Sequence, residues 1–337
     1  MLRRLNAAAT LRGLRVAGEA TLTELASAVS LSRPTTEGAL GELIIRGLVE
    51  EVPAQPGKGL GRPARRYRFR AEAGYALGLE IGADRAVLFV ADLDGHVVAT
   101  RRANLRAAWP PRQRLTAVRA AVRAGLAAAG VSRRQLWTVA AGTPGVVGPD
   151  GTVAYCTVLP DWQGIELARE LSRSFPCPVL VENDANLAAV AERWRGAARD
   201  VDDLVYVLAG PHTGVGVVIG GRLHRGRWGA AGEVGVLPEL GLRDTGAELS
   251  RAGLGAVAER MARGVAAVVL AIDPELVVVG GPLILAAGDL VAELRPHVAA
   301  LGLSPTRIEA SELGDESVAL GALRTALDHI DTTLTTP

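Results

Sequence analysis

Residues 178–194 read PVLVENDANLAAVAERW. Pro178 and the run at 179–181 have the length and β-branching of a short buried strand, and from Ala185 onward Ala, Leu and Val recur at helical spacing. Asn183 and Asp184 therefore sit where a strand hands over to a helix. In an open α/β sheet that handover is where ligands bind, because a crevice opens outside the carboxyl end of the strand. Asp184 is then a candidate general base, able to take a proton from a hydroxyl. Either residue also suits a helix cap, accepting the orphan N–H groups of the first turn. The stretch alone leaves both readings open.

The rest of the chain narrows them. At 337 residues with 49% apolar content, the chain suits two or three globular domains with sizeable cores. Net charge is +1, but residues 1–70 hold 12 basic and 6 acidic side chains, while the remainder holds 25 and 30. A basic front end on an acidic body points to nucleic acid. Cys156 and Cys177 have no metal-ligand spacing, so neither a disulfide framework nor a zinc cluster is expected, and the compartment reads as reducing. Arginines interrupt the N-terminal apolar residues and no long uncharged apolar run follows, so a cytoplasmic protein without membrane association is expected.

Residues 1–70 read as three helices and a wing. Leu2, Leu5, Ala9 and residues 11–16 give a first helix ending at Gly18. Thr21 and Glu24 have capping-box spacing for a second, which buries Leu22, Leu25, Ala26 and Val29. After a short turn, Ser32 caps a third helix with Pro34 in its first turn, and its buried face is Leu40, Leu43, Ile44 and Leu48. This is helix-turn-helix spacing, and Arg33, Thr35 and Thr36 form the exposed first turn that enters a major groove in such motifs. Residues 49–52 and 67–69 read as strands flanking a basic tip, KGLGRPARR at 58–66. There Arg62, held by Pro63, together with Arg65 and Arg66, resembles the arginine arms that enter narrow minor grooves. A small protein-interaction module or a solvated basic loop would look similar in part. Turn spacing, wing and charge together favour duplex DNA bound by a dimer.

From Tyr75 the pattern is α/β. Strands at 75–81, 86–91 and 97–100, with Asp94-Gly95 as a hairpin turn, precede a helix at 111–129 and a strand at 137–141 that runs into Gly142-Thr143-Pro144-Gly145. The order repeats with a strand at 204–208, a Thr213-Gly214-Val215-Gly216 turn, a strand at 217–219 and a Gly220-Gly221 turn. A helix at 256–271, a strand at 276–279 ending in Gly280-Gly281, and a helix at 316–330 follow. Two similar lobes facing a cleft are expected.

Taken together, the motifs resemble the ROK family of repressors, open reading frames and sugar kinases, in its regulator branch. The likeness is carried by Gly61-Arg62-Pro63, residues 77–82 (LGLEIG), 159–162 (LPDW), 182–186 (ENDAN), 229–235 (GAAGEVG) and 278–281 (VVGG). The resemblance implies an α/β chain with a winged helix-turn-helix at 1–72 and an actin-like (sugar kinase/Hsp70) two-lobed domain at 73–337. Lobe I would be about 73–185 plus the C-terminal helix 315–331, and lobe II about 186–314. It implies a homodimer or homotetramer and a sugar or sugar-phosphate effector. Asp184 matches the family kinases' base for the sugar hydroxyl, and Gly145, Asn183, Glu233 and Glu248 fall at ligand-holding positions. Thr213, Gly214, Gly216, Gly280 and Gly281 fall where kinases hold nucleotide.

The departures lie at the phosphates. Family kinases open this loop with an aspartate, two glycines and a threonine, whereas this chain has Glu80-Ile81-Gly82-Ala83-Asp84. Asp84 opposes an anion where N–H groups and hydroxyls should face it. The family's zinc-site histidine falls at Val236, its cysteine cluster is absent from 237–250, and a sugar-contacting asparagine falls at Val158. A DNA-binding regulator with a vestigial base at Asp184, no metal and no cofactor is therefore expected. An active sugar kinase with a DNA-binding head and a ligand-independent scaffold are the alternatives.

Overall fold

The computed structural model describes residues 2–53, 64–210, 212–243, 245–286 and 289–335. Its front end is α1 (Leu2–Ala17), β1 (Glu19–Thr21), α2 (Leu22–Ala28), α3 (Arg33–Ile45), β2 (Val49–Val52) and β3 (Arg66–Phe69), with an antiparallel sheet in the order β1-β3-β2. The capping box forms: Thr21 Oγ1 accepts the Glu24 N–H at 3.3 Å and Glu24 Oε2 accepts the Thr21 N–H at 2.7 Å. Ser32 caps α3 as its sequence implies, accepting the Thr35 N–H at 3.3 Å. Leu14, Leu25, Leu40, Leu43 and Leu48 are buried together.

Two expectations for α3 are overturned by helical phase. Ile44 is 42% exposed, because it lies beside the exposed Ile45, off the inner stripe of Ala39, Leu40 and Leu43. Thr36 is fully buried, three and four positions before Ala39 and Leu40 and hence on their stripe, and its hydroxyl donates to Ser32 O at 3.1 Å. Thr36 therefore supports the head's core instead of facing outward.

Lobe I opens with β4 (Tyr75–Ile81), β5 (Arg85–Asp92), β6 (Val97–Asn104), α4 (Pro111–Ala129) and β7 (Leu136–Thr143). The hairpin β8 (Val146–Val147) and β9 (Val153–Tyr155), then α5 (Leu167–Ser172), β10 (Val179–Asn183) and α6 (Asp184–Arg195), follow. The strand order is β10-β7-β4-β5-β6. The second sheet comes from β11 (Leu204–Leu208), β12 (Gly214–Ile219), β13 (Arg222–Leu223), then α7 (Thr245–Ala252), α8 (Leu254–Ile272), β14 (Leu276–Gly280), α9 (Pro282–Ala286), α10 (Leu290–Leu301) and β15 (Arg307–Ala310). Its order, β13-β12-β11-β14-β15, repeats the first, with two antiparallel and two parallel pairings in the same places. The expected turn at 213–216 is instead largely strand. Gly214 and Gly216 pair with Leu208 and Tyr206, and the β11–β12 connection lies before them.

The last helix, α11 (Ser317–Thr335), joins the parts. It packs on β4, β7 and α6, and its far end meets α1. Backbones approach closely there: a Cβ on Gly321 would lie 1.8 Å from Leu187 O, and one on Gly216 would lie 2.4 Å from Ala185 O. α6, which starts at Asp184, is thus wedged between β12 of one lobe and α11 of the other.

Candidate ligand cleft and nucleic-acid interface

At the β10–α6 junction the cap and the candidate base fall to different residues. Asn183 is the cap: its Oδ1 accepts the Asn186 N–H at 3.1 Å, while its Nδ2 donates to Gly145 O at 3.0 Å. Asp184, half-buried at the first helical position, is left to line the cleft. Burial pushes its carboxyl up to about 7; the Ala185 N–H opposes the shift, and the carboxylates of Glu233 and Glu80 add to it. Glu182 and Asn186 fix the bend, a role the sequence reading did not assign. Glu182 Oε1 accepts the Asn183 N–H at 2.8 Å and Asn186 Nδ2 at 2.9 Å, and its Oε2 pairs with Arg225 from the other lobe.

Gly145, Asn183, Asp184 and Glu233 line one cavity, joined by Thr213 and Gly214. Burial raises the Glu233 carboxyl as well. Val158 and Val236, at the positions where the resemblance expects polar groups, line the same cavity. So do His212 and Arg243, which sequence reasoning missed because neither belongs to a recognisable motif. Glu248 is elsewhere occupied: it pairs with Arg251 at 2.6 Å and Arg260 at 3.2 Å, which hold it below the usual carboxylate range, and it is not among the described lining residues.

An adjoining cavity of about 410 Å³ shares Asp184 and His212 and reaches Glu80, Asp84, Arg85 and Gly281. That volume suits a small ligand. Gly281 lines it with φ +95°, whereas Gly280 and Gly216 serve packing: a Cβ on Gly280 would lie 2.1 Å from the Tyr206 hydroxyl. Burial pushes the Glu80 carboxyl up to about 7 against the pull of Arg85. The β4–β5 turn is pinned from behind by Arg114, wholly buried, which donates to the carbonyl oxygens of Gly82, Ala83, Arg106 and Ala107. Among the described residues no group of three or more His, Cys, Asp or Glu side chains is placed to hold a metal ion.

On the head, Arg33 is exposed and Thr35 half-buried at the start of α3. Arg65 lies 3.4 Å from Glu51, and Arg66 donates to Glu19 O at 3.0 Å with Glu24 at 3.7 Å. Arg62 lies outside the described residues.

Residues 76–239 match the ROK family. A xylose repressor of Caldicellulosiruptor bescii is 28% identical over 214 residues, which is 63% of this chain and 53% of the relative. The chain thus spans about half the length of the curated relatives it matches. Among solved structures, a ROK family transcriptional regulator described as a homolog of the E. coli MLC protein aligns with TM-score 0.74 at 19% identity over 99% of both chains. A ROK glucokinase from Streptomyces griseus, in complex with glucose and AMPPNP, aligns with TM-score 0.64 at 23% identity over 76% of this chain and 100% of its own. These likenesses show the fold, a head followed by a sugar-kinase-like, actin-like two-lobed body. Residues 76–239 are thus similar to the ROK family, and the likeness to the solved structures extends over the fold.

Proposed function

We propose that this chain is a DNA-binding transcriptional regulator, acting as a repressor, in which a sugar-kinase-like body senses a sugar or sugar derivative without phosphorylating it. The head would span 1–72 and the body 73–337, with lobe I at about 73–185 plus 315–331, and the active species would be a cytoplasmic homodimer or homotetramer. The observation that carries the reading is the acid at the phosphate seat, where Asp84 lines the cavity beside Asp184. A general base contributes only about 10²- to 10⁴-fold, and phosphoryl transfer depends on stabilising phosphate charge, which the Asp84 carboxylate opposes. Names of relatives such as the xylose repressor support the same reading.

Control would work by linkage: a ligand binding one lobe arrangement better shifts the head between DNA-competent and incompetent states. Anisotropy with duplex DNA across a salt series tests the head, since phosphate neutralisation gives a steep salt slope. An ATP-consumption assay with a sugar panel, comparing the chain with Asp184→Asn, tests the body. Turnover that depends on Asp184 would overturn the sensor reading in favour of an active kinase. A ligand-independent scaffold is the second reading, supported by Val158 and Val236 in the cavity wall. A ligand that binds the cleft and changes DNA affinity excludes it.

A further inference from the structure

The polar side chains of α3 are Arg33, Thr35, Thr36, Glu37 and Glu42, and the fold itself occupies three of them. Thr36 is buried with its hydroxyl on Ser32 O, the Thr35 hydroxyl bonds that of Ser32 at 2.8 Å, and Glu42 pairs with Arg3 at 3.6 Å. Arg33 and Glu37 remain. Both are exposed, and neither side chain has an ion pair or hydrogen bond among the described residues. They stand one turn apart, a spacing at which opposite charges can pair, and they do not.

Nothing within the chain accounts for a carboxylate at position 37. It is the fifth residue of α3, beyond the first turn where the helix dipole favours negative charge. Its neighbours three and four positions on are Leu40 and Gly41, so no cation stands on that side. The stripe opposite the buried Thr36, Ala39, Leu40 and Leu43 runs through Pro34, Gly38 and Gly41, which have no hydrogen-bonding side chains. A Cβ added at Gly38 or Gly41 would meet nothing within 4 Å, so this face is low and open, and a groove can approach it closely. Of the side chains on α3, Arg33 and Glu37 are the two left free to bond base edges there.

We infer that Glu37 is a base-reading residue that accepts a hydrogen bond from cytosine N4 in the major groove, so that the half-site under α3 carries a C·G pair at that point. The inference rests on the DNA-binding reading of the head. Phosphates repel an anion, so a carboxylate at a DNA-facing position gains only where it meets a donor. The major groove offers two base donors, N4 of cytosine and N6 of adenine. Adenine N6 stands beside the N7 acceptor, which opposes the second carboxylate oxygen, whereas cytosine presents its donor without an acceptor of its own. Arg33, a turn earlier, brings positive charge that offsets the local repulsion.

Selection from a randomised duplex pool with the full chain, followed by sequencing, tests this. The wild type is compared with Glu37→Gln and Glu37→Ala, whose melting temperatures should agree with it within about a degree because the side chain is exposed. The wild type is expected to enrich cytosine at one position of the half-site. Glu37→Ala should lose that preference and keep the others, and Glu37→Gln should move it towards adenine, whose N6 and N7 match an amide. In anisotropy on the selected duplex, changing that C·G pair to T·A should weaken the wild type about five- to a hundredfold and Glu37→Ala by less than about twofold. A carboxylate that only solvates the helix gives the contrary result: its removal tightens binding to all duplexes alike and leaves the base profile unchanged, which overturns the inference while the DNA-binding reading stands. Enrichment of a base other than cytosine at the Glu37-dependent position overturns it as well. A wild type that enriches no duplex at low salt sinks the DNA-binding reading itself, and the role of Glu37 with it.

Discussion

Arg15 Nη1 lies 2.7 Å from Asp331 Oδ1, tying the first helix to the last. The same guanidinium reaches Asp94 at 2.8 Å, donates to Leu93 O and lies over the Phe69 ring, 5.0 Å from its centroid. One side chain of the head thus grips the β5–β6 turn and α11 at once. α11 begins beside the acidic cavity at Ser317 and ends at this grip, which makes it the element through which the proposed linkage would reach the head.

Arg15→Ala should therefore cost about 1–3 kcal/mol, because it removes at once the guanidinium's ion pairs, its bond to Leu93 O and its packing on Phe69. Hydrogen exchange should rise in α1 and in the C-terminal turns of α11 while the two central sheets stay protected. If an effector is found, this variant should keep DNA binding and lose the effector's influence on it. Unchanged exchange in both helices would remove Arg15 from the coupling route.

The pH dependence of stability follows from Asp184. Its carboxyl is raised from 3.8 to about 7 by folding, so the folded chain binds more protons than the unfolded one between those values. Stability from this group is then greatest at low pH, falls as pH rises through that window and stays lost above it. Asp184→Asn should raise the melting temperature by a few degrees at pH 8, equivalent to about 1–2 kcal/mol once solvent screening of a half-buried group is allowed for. It should change little near pH 4. Thermal melts of both proteins from pH 4 to 8 check this, and a variant less stable at pH 8 contradicts it.

Local rules made much of this structure readable in advance. The capping box at Thr21, the Ser32 cap and the Asp94-Gly95 turn are short-range hydrogen-bonding choices, and each formed as its residues imply. The repeated strand order followed from apolar runs and turn residues. What escaped were contacts made by distant parts of the chain. Gly216 reads as a turn glycine until the approach of Ala185 O shows why no side chain fits there. His212 and Arg243 reach the cavity through loop placement, which no local pattern encodes. Glu248 was placed by resemblance, but two arginines fixed by α7 and α8 geometry hold it away. Thr36 was misplaced by one helical phase step, the smallest error that turns a surface residue inward.

Glu182 and Arg225 form the ion pair that spans the lobes behind Asp184. Glu182 is nearly buried and its other oxygen holds the bend through Asn183 and Asn186, so removing the cation strands a carboxylate at the junction. Arg225→Ala should destabilise by about 1–3 kcal/mol, and adding Glu182→Gln should recover part of that. A denaturant double-mutant cycle measures the coupling; additive losses would show the two side chains to be independent.

The first turn of α3 allows DNA contact and packing to be separated within four residues. Arg33 is exposed and pairs with no carboxylate among the described residues, so Arg33→Ala should leave the melting temperature within a degree or so and weaken duplex binding, lowering the log–log salt slope by about one where it meets a phosphate. Thr36 is buried with its hydroxyl on Ser32 O, so Thr36→Val keeps the shape, loses one hydrogen bond and should cost about 0.5–1.5 kcal/mol. Its effect on DNA affinity at a temperature well below melting should be small, because the side chain cannot reach a base edge. Anisotropy titrations paired with melts on both variants give the four values. The reverse pattern, affinity lost with Thr36→Val and retained with Arg33→Ala, would mean that α3 does not present this turn to DNA.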